Sequence, residues 1–422
     1  MLLDPVQVLV GPGQAVERQS AVLIRNRRLE AFGDEARRRG QSEALEPQEA
    51  GHQLLAPCLV DCHSELPEPF HGRGETLNSL VRTAGNAGFG QLALLPGTLH
   101  GVREQPDHLQ GFAPSDCDVN VLLWGGFSSG SGGVELTAHA DLLDAGALGL
   151  SDGRSMPPIA LLDRALTLGE MGSAPVLIPP LDLALRGEGL LREGVSALRA
   201  GWPSDPVSSE TLPLSQLGQL QQSHPNRRLV LMALSTAGAV ELLQQMPEPP
   251  KATVNWWHVV ADSSQSSASA STWFVDPSLG SPLDRDALIR ALAENLIQAI
   301  AVQATPLDDE ECLLPPDQRS RGVSGHHLVL PSLWQTLVVA EGWTPEQLWQ
   351  VISFGPSRLL GTREESLAVG SNRWLLFDPD HVWTPTRSDP MGPRAANLPF
   401  LEQALRGRVL RCGLRIPTNR PC

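Results

Sequence analysis

The sequence predicts an α/β protein, a (β/α)8 TIM barrel accompanied by a small β-sandwich built from both ends of the chain. At 422 residues the chain is too long for one small core and suits a large domain with a smaller one. Apolar strand-like runs alternate with helical stretches through the middle, whereas both ends are rich in short strands. The predicted domains are 1–53 and 363–422 for the two parts of the sandwich, and 54–362 for the barrel.

The strands of the sandwich are predicted where short apolar runs are separated by polar turns. The predicted sandwich strands cover residues 6–10, 21–24, 29–32, 374–378 and 410–415. The eight predicted barrel strands cover 54–60, 91–95, 118–124, 147–150, 175–178, 229–231, 252–255 and 297–302. Helical spacing of apolar residues predicts helices over 77–87, 136–145, 159–171, 236–245, 284–292 and 331–340.

The first predicted barrel strand ends in three chemically active residues, Asp61, His63 and Glu65. Alternation along a strand predicts that their side chains share one face. Active sites of TIM-barrel enzymes lie at the carboxyl ends of the strands. This cluster is therefore the first candidate for a metal site.

Composition limits the classes of function. A formal net charge of −15 argues against a nucleic-acid partner, because phosphate binding needs a basic surface. No apolar run has the length of a membrane helix, and the first residues do not resemble a signal peptide, so a cytoplasmic protein is expected. Six cysteines without a Cys-x-x-Cys pair predict reduced thiols.

Several motifs resemble those of bacterial-type dihydroorotases and related cyclic amidohydrolases. The run Leu-Val-Asp-Cys-His-Ser-Glu-Leu-Pro-Glu-Pro at 59–69 is similar to the family's first-strand pattern Leu-Val-Asp-x-His-x-His-x-Arg-Glu-Pro. Further similar stretches lie at 94–98, 150–153, 192–197, 234–238, 366–370 and 397–409. The resemblance covers essentially the whole chain and implies the amidohydrolase type of TIM barrel, with its sandwich made from both termini.

The resemblance also implies zinc chemistry, and most of the residues that would perform it are replaced. Of the family's histidine ligands only His63 remains, because Glu65, Pro179 and Ala233 stand at the other three positions. Gln303 stands where the family has its catalytic aspartate, so no catalytic residue is expected. Proline and alanine side chains neither bind zinc nor transfer protons.

The positions that hold the substrate are changed as well. Pro67 replaces the family's arginine, Gly97 replaces an asparagine, and Asp276 replaces a second asparagine. Asp276 would bring a negative charge to the place where a carboxylate substrate should bind. No substrate-binding residue is therefore expected at these positions.

Two interpretations of the remaining polar set stay open. Asp61, His63, Glu65 and Asp152 would hold zinc or another divalent cation loosely, or they would be satisfied by local hydrogen bonds with no cofactor bound. His258, beside two tryptophans, suggests either an aromatic ligand pocket or a core residue. The pair at 326–327 is expected in a solvated loop, and the Ser-rich stretch 263–272 as a released loop or a mobile lid.

The leading functional hypothesis is a dihydroorotase-like protein of pyrimidine biosynthesis without dihydroorotase activity. The resemblance implies a structural partnership with aspartate transcarbamoylase, and a homo-oligomer is expected. The alternative is an active metal-dependent hydrolase of cyclic amide C–N bonds with a rebuilt metal site. A third hypothesis is a small-molecule sensor that uses the vacated pocket.

Overall fold

The computed structural model describes residues 1–112, 117–265, 273–315, 318–389 and 392–417. These residues form a parallel eight-stranded barrel and a separate six-stranded sheet. The predicted fold class is therefore confirmed. Among the described residues no helix is both long enough and apolar enough to cross a membrane.

The barrel strands follow one another around the barrel in chain order. From first to eighth they are Leu59–Ser64, Phe89–Leu94, Asn120–Gly126, Gly149–Ser151, Pro175–Ile178, Arg228–Leu234, Lys251–Asn255 and Ala299–Ala301. The ladder hydrogen bonds link each strand to the next, and the first and eighth strands meet at a seam. The interior is filled by apolar side chains such as Trp124, Leu177 and Met232, so the barrel is a packed core.

Helices surround the barrel. The main ones are Leu77–Asn86, His139–Asp144, Ile159–Leu168, Ser208–Ser223, Ala237–Gln245, Pro282–Ala293, His326–Leu333, Pro345–Trp349 and Gly355–Leu360. The helix that begins at His326 continues through the π-helical segment Trp334–Ala340, and Gln350–Phe354 joins the last two helices in the same way. Shorter helices are Leu183–Arg186, Val195–Ala200, Trp256–Val260 and Asp309–Cys312.

Strands from both ends of the chain form the second sheet. In spatial order they are Leu405–Cys412, Trp374–Trp383, Pro47–Pro57, Leu2–Val8, Glu17–Arg25 and Arg28–Phe32, with helix Gly33–Ser42 following the last. All neighbours are antiparallel except Leu2–Val8 and Pro47–Pro57, which are parallel. The two ends of the chain are thus joined in one sheet, as the sequence predicts.

The predicted strand 54–60 is divided between the two sheets. Residues up to Pro57 pair with Trp374–Trp383, whereas pairing with the second barrel strand begins at Leu59. Between them, Cys58 is fully buried, and its carbonyl accepts a hydrogen bond from the Ser353 hydroxyl. An apolar run does not reveal where a chain exchanges one set of partners for another.

Candidate functional site

The candidate site lies at the carboxyl end of the barrel, where the first and eighth strands meet. The Gln303 amide donates to the His63 carbonyl at 2.9 Å, and the Glu65 amide donates to the Ala304 carbonyl at 2.7 Å. The Val302 amide donates to Oδ1 of Asp61 at 3.0 Å. Residues of the candidate site therefore join the two strands that close the barrel.

Asp61 is fully buried and uses both carboxylate oxygens within the protein. Oδ1 accepts from the amides of Val302 and His63, and Oδ2 accepts from the Ser64 hydroxyl and from His326 Nε2 at 3.0 Å. The pairing with the second barrel strand shifts register between Asp61 and Ser64, and Glu65 follows the last residue of the strand. Asp61 thus acts as a structural acceptor in the seam.

His63 has both ring nitrogens engaged. Nδ1 contacts Oε1 of Gln303, an oxygen that can only accept, so Nδ1 carries the proton. Nε2 then accepts from the Thr253 hydroxyl at 2.9 Å, which leaves no nitrogen lone pair for an ion. Burial lowers the pKa of His63 to about 4, although Asp61 and Gln303 act in the opposite direction. The ring is therefore neutral at pH 7.

Glu65 and Asp276 belong to a cluster of ion pairs at the barrel mouth. Arg154 contacts both carboxylate oxygens of Glu65, at 2.5 and 2.9 Å, and Arg186 contacts both oxygens of Asp276, at 2.8 and 2.9 Å. Arg154 also approaches Asp276 to 3.8 Å. Burial alone would raise the pKa of Asp276, but the two arginines outweigh that effect and lower it. The arginines supply the positive charge that these carboxylates require.

Asp152 is satisfied by the neighbouring third strand. Its Oδ1 accepts from the amides of Phe127 and Ser128, at 3.0 and 2.8 Å, and its Oδ2 accepts from the Ser128 hydroxyl at 2.5 Å. Burial raises the pKa of Asp152, while these hydrogen bonds act to lower it. Asp152 therefore fixes the loop after the third strand.

A small cavity lies at the barrel mouth, and the positions that the resemblance assigns to lost ligands line it. Pro179, Ala233 and Gln303 surround a cavity of about 20 Å³, together with Arg154 and Asp276. A volume of this size holds roughly one water molecule, whereas small-molecule sites usually enclose several hundred Å³. Among the described residues, this cavity is too small to be the vacated pocket that the sensor hypothesis requires. Proline rings and arginine side chains occupy the space.

The two remaining substrate positions lie at the outer rim. The Pro67 carbonyl accepts from the Leu99 amide at 2.9 Å, and Gly97 is an exposed residue of the two-residue strand Gly97–Thr98. Gly97 and Thr98 pair with Gly101 and Val102 in a short hairpin. Neither position places a side-chain donor at the cavity.

These residues do not fit the zinc that the family implies. Among the described residues, no three His, Cys, Asp or Glu side chains form a group that could hold a metal ion. A catalytic zinc needs about three such ligands with free lone pairs. Here the His63 lone pair accepts a hydroxyl proton, Glu65 is bound by an arginine, and Asp152 accepts three hydrogen bonds. No hydrolytic step through a metal follows from this donor set.

The structure corrects the expectation for the pair at 326–327. His326 is 1% exposed at the start of a helix and donates to Asp61, so it does not lie in a solvated loop. Its ring also meets Phe89 edge-on, at 5.0 Å between centroids. The buried carboxylate of Asp61 requires a buried donor, and no local sequence pattern indicates which distant residue supplies it.

His258 lies in the core. Trp256 and Trp257 are buried beside it, and burial lowers the pKa of His258 to about 4. Its Nε2 donates weakly to the Ser278 carbonyl at 3.3 Å. No open aromatic pocket surrounds it among the described residues. Of the Ser-rich stretch 263–272, only Ser263–Gln265 lies within the described residues, as a short 3-10 helix.

A buried charge cluster behind the mouth was missed by reasoning from the sequence. Arg192, 3% exposed, lies 3.1 Å from Asp205 and 3.8 Å from Glu210, and it donates to the hydroxyls of Ser209 and Ser235. Burial raises the pKa of Glu210, against the attraction of Arg192. This cluster ties the loop after the fifth strand to the end of the sixth.

Comparison with known proteins agrees with the fold and the motifs. No protein-family model matches the chain. The chain is 34% identical to a probable dihydroorotase-like protein of Synechocystis sp. over 97% of both chains, and 26% identical to a dihydroorotase of Anaeromyxobacter dehalogenans over 95% of this chain and 93% of that one.

Solved structures share the architecture. A dihydropyrimidinase from Brevibacillus agri matches with a TM-score of 0.74 at 17% identity, covering 97% of this chain and 92% of that one. A D-hydantoinase from Thermus sp. matches with a TM-score of 0.76 at 15% identity, covering 99% and 96%. At such identities the structures support the fold, while the Synechocystis relative supports the family. The chain therefore belongs to the dihydroorotase-like cyclic amidohydrolases.

Proposed function

We propose that this dihydroorotase-like protein does not hydrolyse dihydroorotate and keeps the barrel for a structural role in pyrimidine biosynthesis, in the cytoplasm. The observation that carries the proposal is the state of the barrel mouth. Arg154 occupies it and pairs with Glu65, and the remaining cavity of about 20 Å³ has no room for a cyclic amide. His63 and Asp61 are engaged in closing the barrel.

Metal content and activity test the proposal together. The protein is purified without chelator, exposed to zinc and manganese, and measured by elemental mass spectrometry and by dihydroorotate hydrolysis. The Anaeromyxobacter dehalogenans dihydroorotase is the positive control. We expect metal well below one ion per chain and no hydrolysis above background, because the candidate ligands already have partners.

The alternative of an active hydrolase with a rebuilt site predicts the opposite result. About one ion per chain, lost in both His63→Ala and Asp152→Asn, together with measurable hydrolysis, would refute the proposal. A bound ion that persists in both variants would show that any metal lies elsewhere and would leave these residues structural.

We further propose that the structural role is a complex with aspartate transcarbamoylase. Exposed apolar side chains support an interface: Leu183, Val195, Leu198 and Leu212 all lie between the fifth and sixth barrel strands, with exposures from 50% to 79%. Leu183 and Leu212 lie on helices that pack against each other. Exposed apolar surface is typical of protein interfaces.

Co-expression with the aspartate transcarbamoylase of the same organism tests this proposal. We expect joint elution in size-exclusion chromatography at micromolar concentration, and loss of joint elution in Leu198→Glu. Val369→Glu, which changes another exposed apolar residue in the segment before Trp374–Trp383, is the matched control, since Val369 is 68% exposed and Leu198 79%. Separate elution of the two wild-type proteins would refute the partnership, and the same column reports whether this chain forms a homo-oligomer.

A further inference from the structure

A cavity of about 620 Å³ lies at the end of the barrel opposite the candidate site. It opens around Arg228 and Lys251, the first residues of the sixth and seventh barrel strands. Other walls come from the end of helix Ser208–Ser223, from the loop 247–250 and from helix Gly355–Leu360. This volume falls within the range of small-molecule sites, unlike that of the barrel mouth.

The cavity is positively charged in a protein that is acidic overall. Arg227, Arg228, Lys251 and Arg358 line it, and Arg358 is neutralised by its ion pair with Glu364. The other three cations have no carboxylate partner among the described residues. Against them stands one lining carboxylate, Glu248, so three cations and one anion leave two positive charges. In a chain of net charge −15, this concavity would attract anions.

Two of these cations are already held in place. Arg227 donates to the carbonyls of Leu166 and Gly172 at 3.1 and 3.2 Å, and Arg228 donates to the Leu359 carbonyl at 3.0 Å. Carbonyls are neutral acceptors, so they orient the guanidinium groups without cancelling their charge. Fixing a side chain before binding lowers the entropy cost of holding a ligand.

The rest of the lining suits a small organic molecule. Four prolines and Leu229 contribute apolar surface. Three of these prolines lie in the loop 247–250 and make it stiff, because each fixes its own φ. Gln222 and Asn295 add amide groups that can both donate and accept. A ligand that fits would combine a carbon skeleton with a doubly charged anionic group.

We propose that this cavity binds a small phosphomonoester, such as a sugar or nucleoside phosphate, away from the candidate site. A phosphate dianion matches the two uncompensated positive charges, and its oxygens accept the strong charge-assisted hydrogen bonds that arginine and lysine donate. The structure assigns Lys251 the leading role, because its amine is exposed and has no carboxylate partner among the described residues. Arg227 and Arg228 form the fixed part of the site.

Lys251 is the only lysine in the sequence, which gives a direct assay. Mild acetylation followed by mass spectrometry reports the reactivity of this one side chain. We expect millimolar ribose 5-phosphate to slow its acetylation at least fivefold, with ribose as the uncharged control and succinate as the dicarboxylate control. A lysine-containing peptide added to the tube reports any effect on the reagent itself.

Calorimetry on variants completes the test. Lys251→Gln should weaken the binding of ribose 5-phosphate about tenfold, and Glu248→Gln should tighten it. Arg199→Gln, which removes an exposed charge outside the cavity, should change it less than twofold. Three results would each overturn the proposal. Ribose 5-phosphate would not protect Lys251, or ribose or succinate would protect it equally well. The third is an equal Kd for Lys251→Gln and Arg199→Gln. If Lys251→Gln folds poorly, Glu248→Gln still decides the question, because unchanged or weaker binding in that variant would contradict the proposed charge balance.

Discussion

The substitution Arg154→Met tests whether Arg154 supplies the positive charge that the carboxylates of the barrel mouth require. In the native chain Arg154 binds Glu65 through two hydrogen bonds and also faces Asp276. Methionine preserves much of the apolar stem of the side chain but removes the charge. Glu65, whose side chain is only 19% exposed, then keeps a negative charge without its partner.

Removing one partner of a buried ion pair typically costs about 3 to 5 kcal/mol of unfolding free energy. Two features place Arg154→Met at the lower end of that range. Asp276 keeps Arg186, and the Arg154 side chain is itself 25% exposed. We therefore expect a loss of about 3 kcal/mol at pH 7.5.

Urea unfolding measures this loss, provided that the slope of the transition stays constant. Arg406→Met is the matched control, since it breaks an exposed pair with Asp380 that contributes at most about 1 kcal/mol. The double variant Arg154→Met with Glu65→Gln should recover much of the loss, because it also removes the stranded charge. The reasoning fails if Arg154→Met costs no more than Arg406→Met, or if the double variant recovers nothing.

Three further predictions concern buried groups. Burial lowers the pKa of His63, His258 and His327 to about 4, below the usual 6.5. The contribution of each neutral ring to the free energy of unfolding is therefore present above pH 6.5 and is lost as pH falls toward 4, by up to about 3 kcal/mol each. Urea midpoints measured between pH 7 and pH 4 check this loss. Ala233→Gly should be stabilising or neutral in urea unfolding because φ at this residue is +58°, whereas helical Ala239→Gly should cost about 1 kcal/mol. Burial raises the pKa of the Cys62 thiol well above its usual value, so it should react with a thiol reagent only after denaturant is added; labelling in the folded protein would contradict this.

The fold could be predicted because its signals are local. The fifth barrel strand, 175–178, has its predicted limits, and helix Ala237–Gln245 differs from its prediction by one residue. The strand is a short apolar run followed by two prolines, and the helix has apolar residues at helical spacing. The error at 54–60 arose because one continuous apolar run serves two sheets, and hydrophobicity alone carries no information about the partner strand.

The candidate site could be predicted only as a set of replacements. The resemblance assigns Pro179 and Ala233 to positions where the family has ligands, but it does not indicate what fills the space. Arg154 is only two residues from Asp152, yet its partner Glu65 lies 89 positions away in the chain. His326 is 265 positions from Asp61. Such pairs depend on the closure of the barrel, which no local pattern encodes.

Two of the positions that the resemblance marks as replaced have a strained backbone. Ala233 and Gln303 both have left-handed φ values, +58° and +47°, which cost L-residues roughly 1 to 2 kcal/mol. Each of these residues has its backbone amide held by a hydrogen bond: the Ala233 amide donates to the Thr253 hydroxyl at 2.8 Å, and the Gln303 amide donates to the His63 carbonyl. The first bond links the sixth strand to the seventh, and the second lies at the seam of the first and eighth strands. Both donors are backbone amides, so these two hydrogen bonds do not depend on which side chain stands at either position, proline excepted.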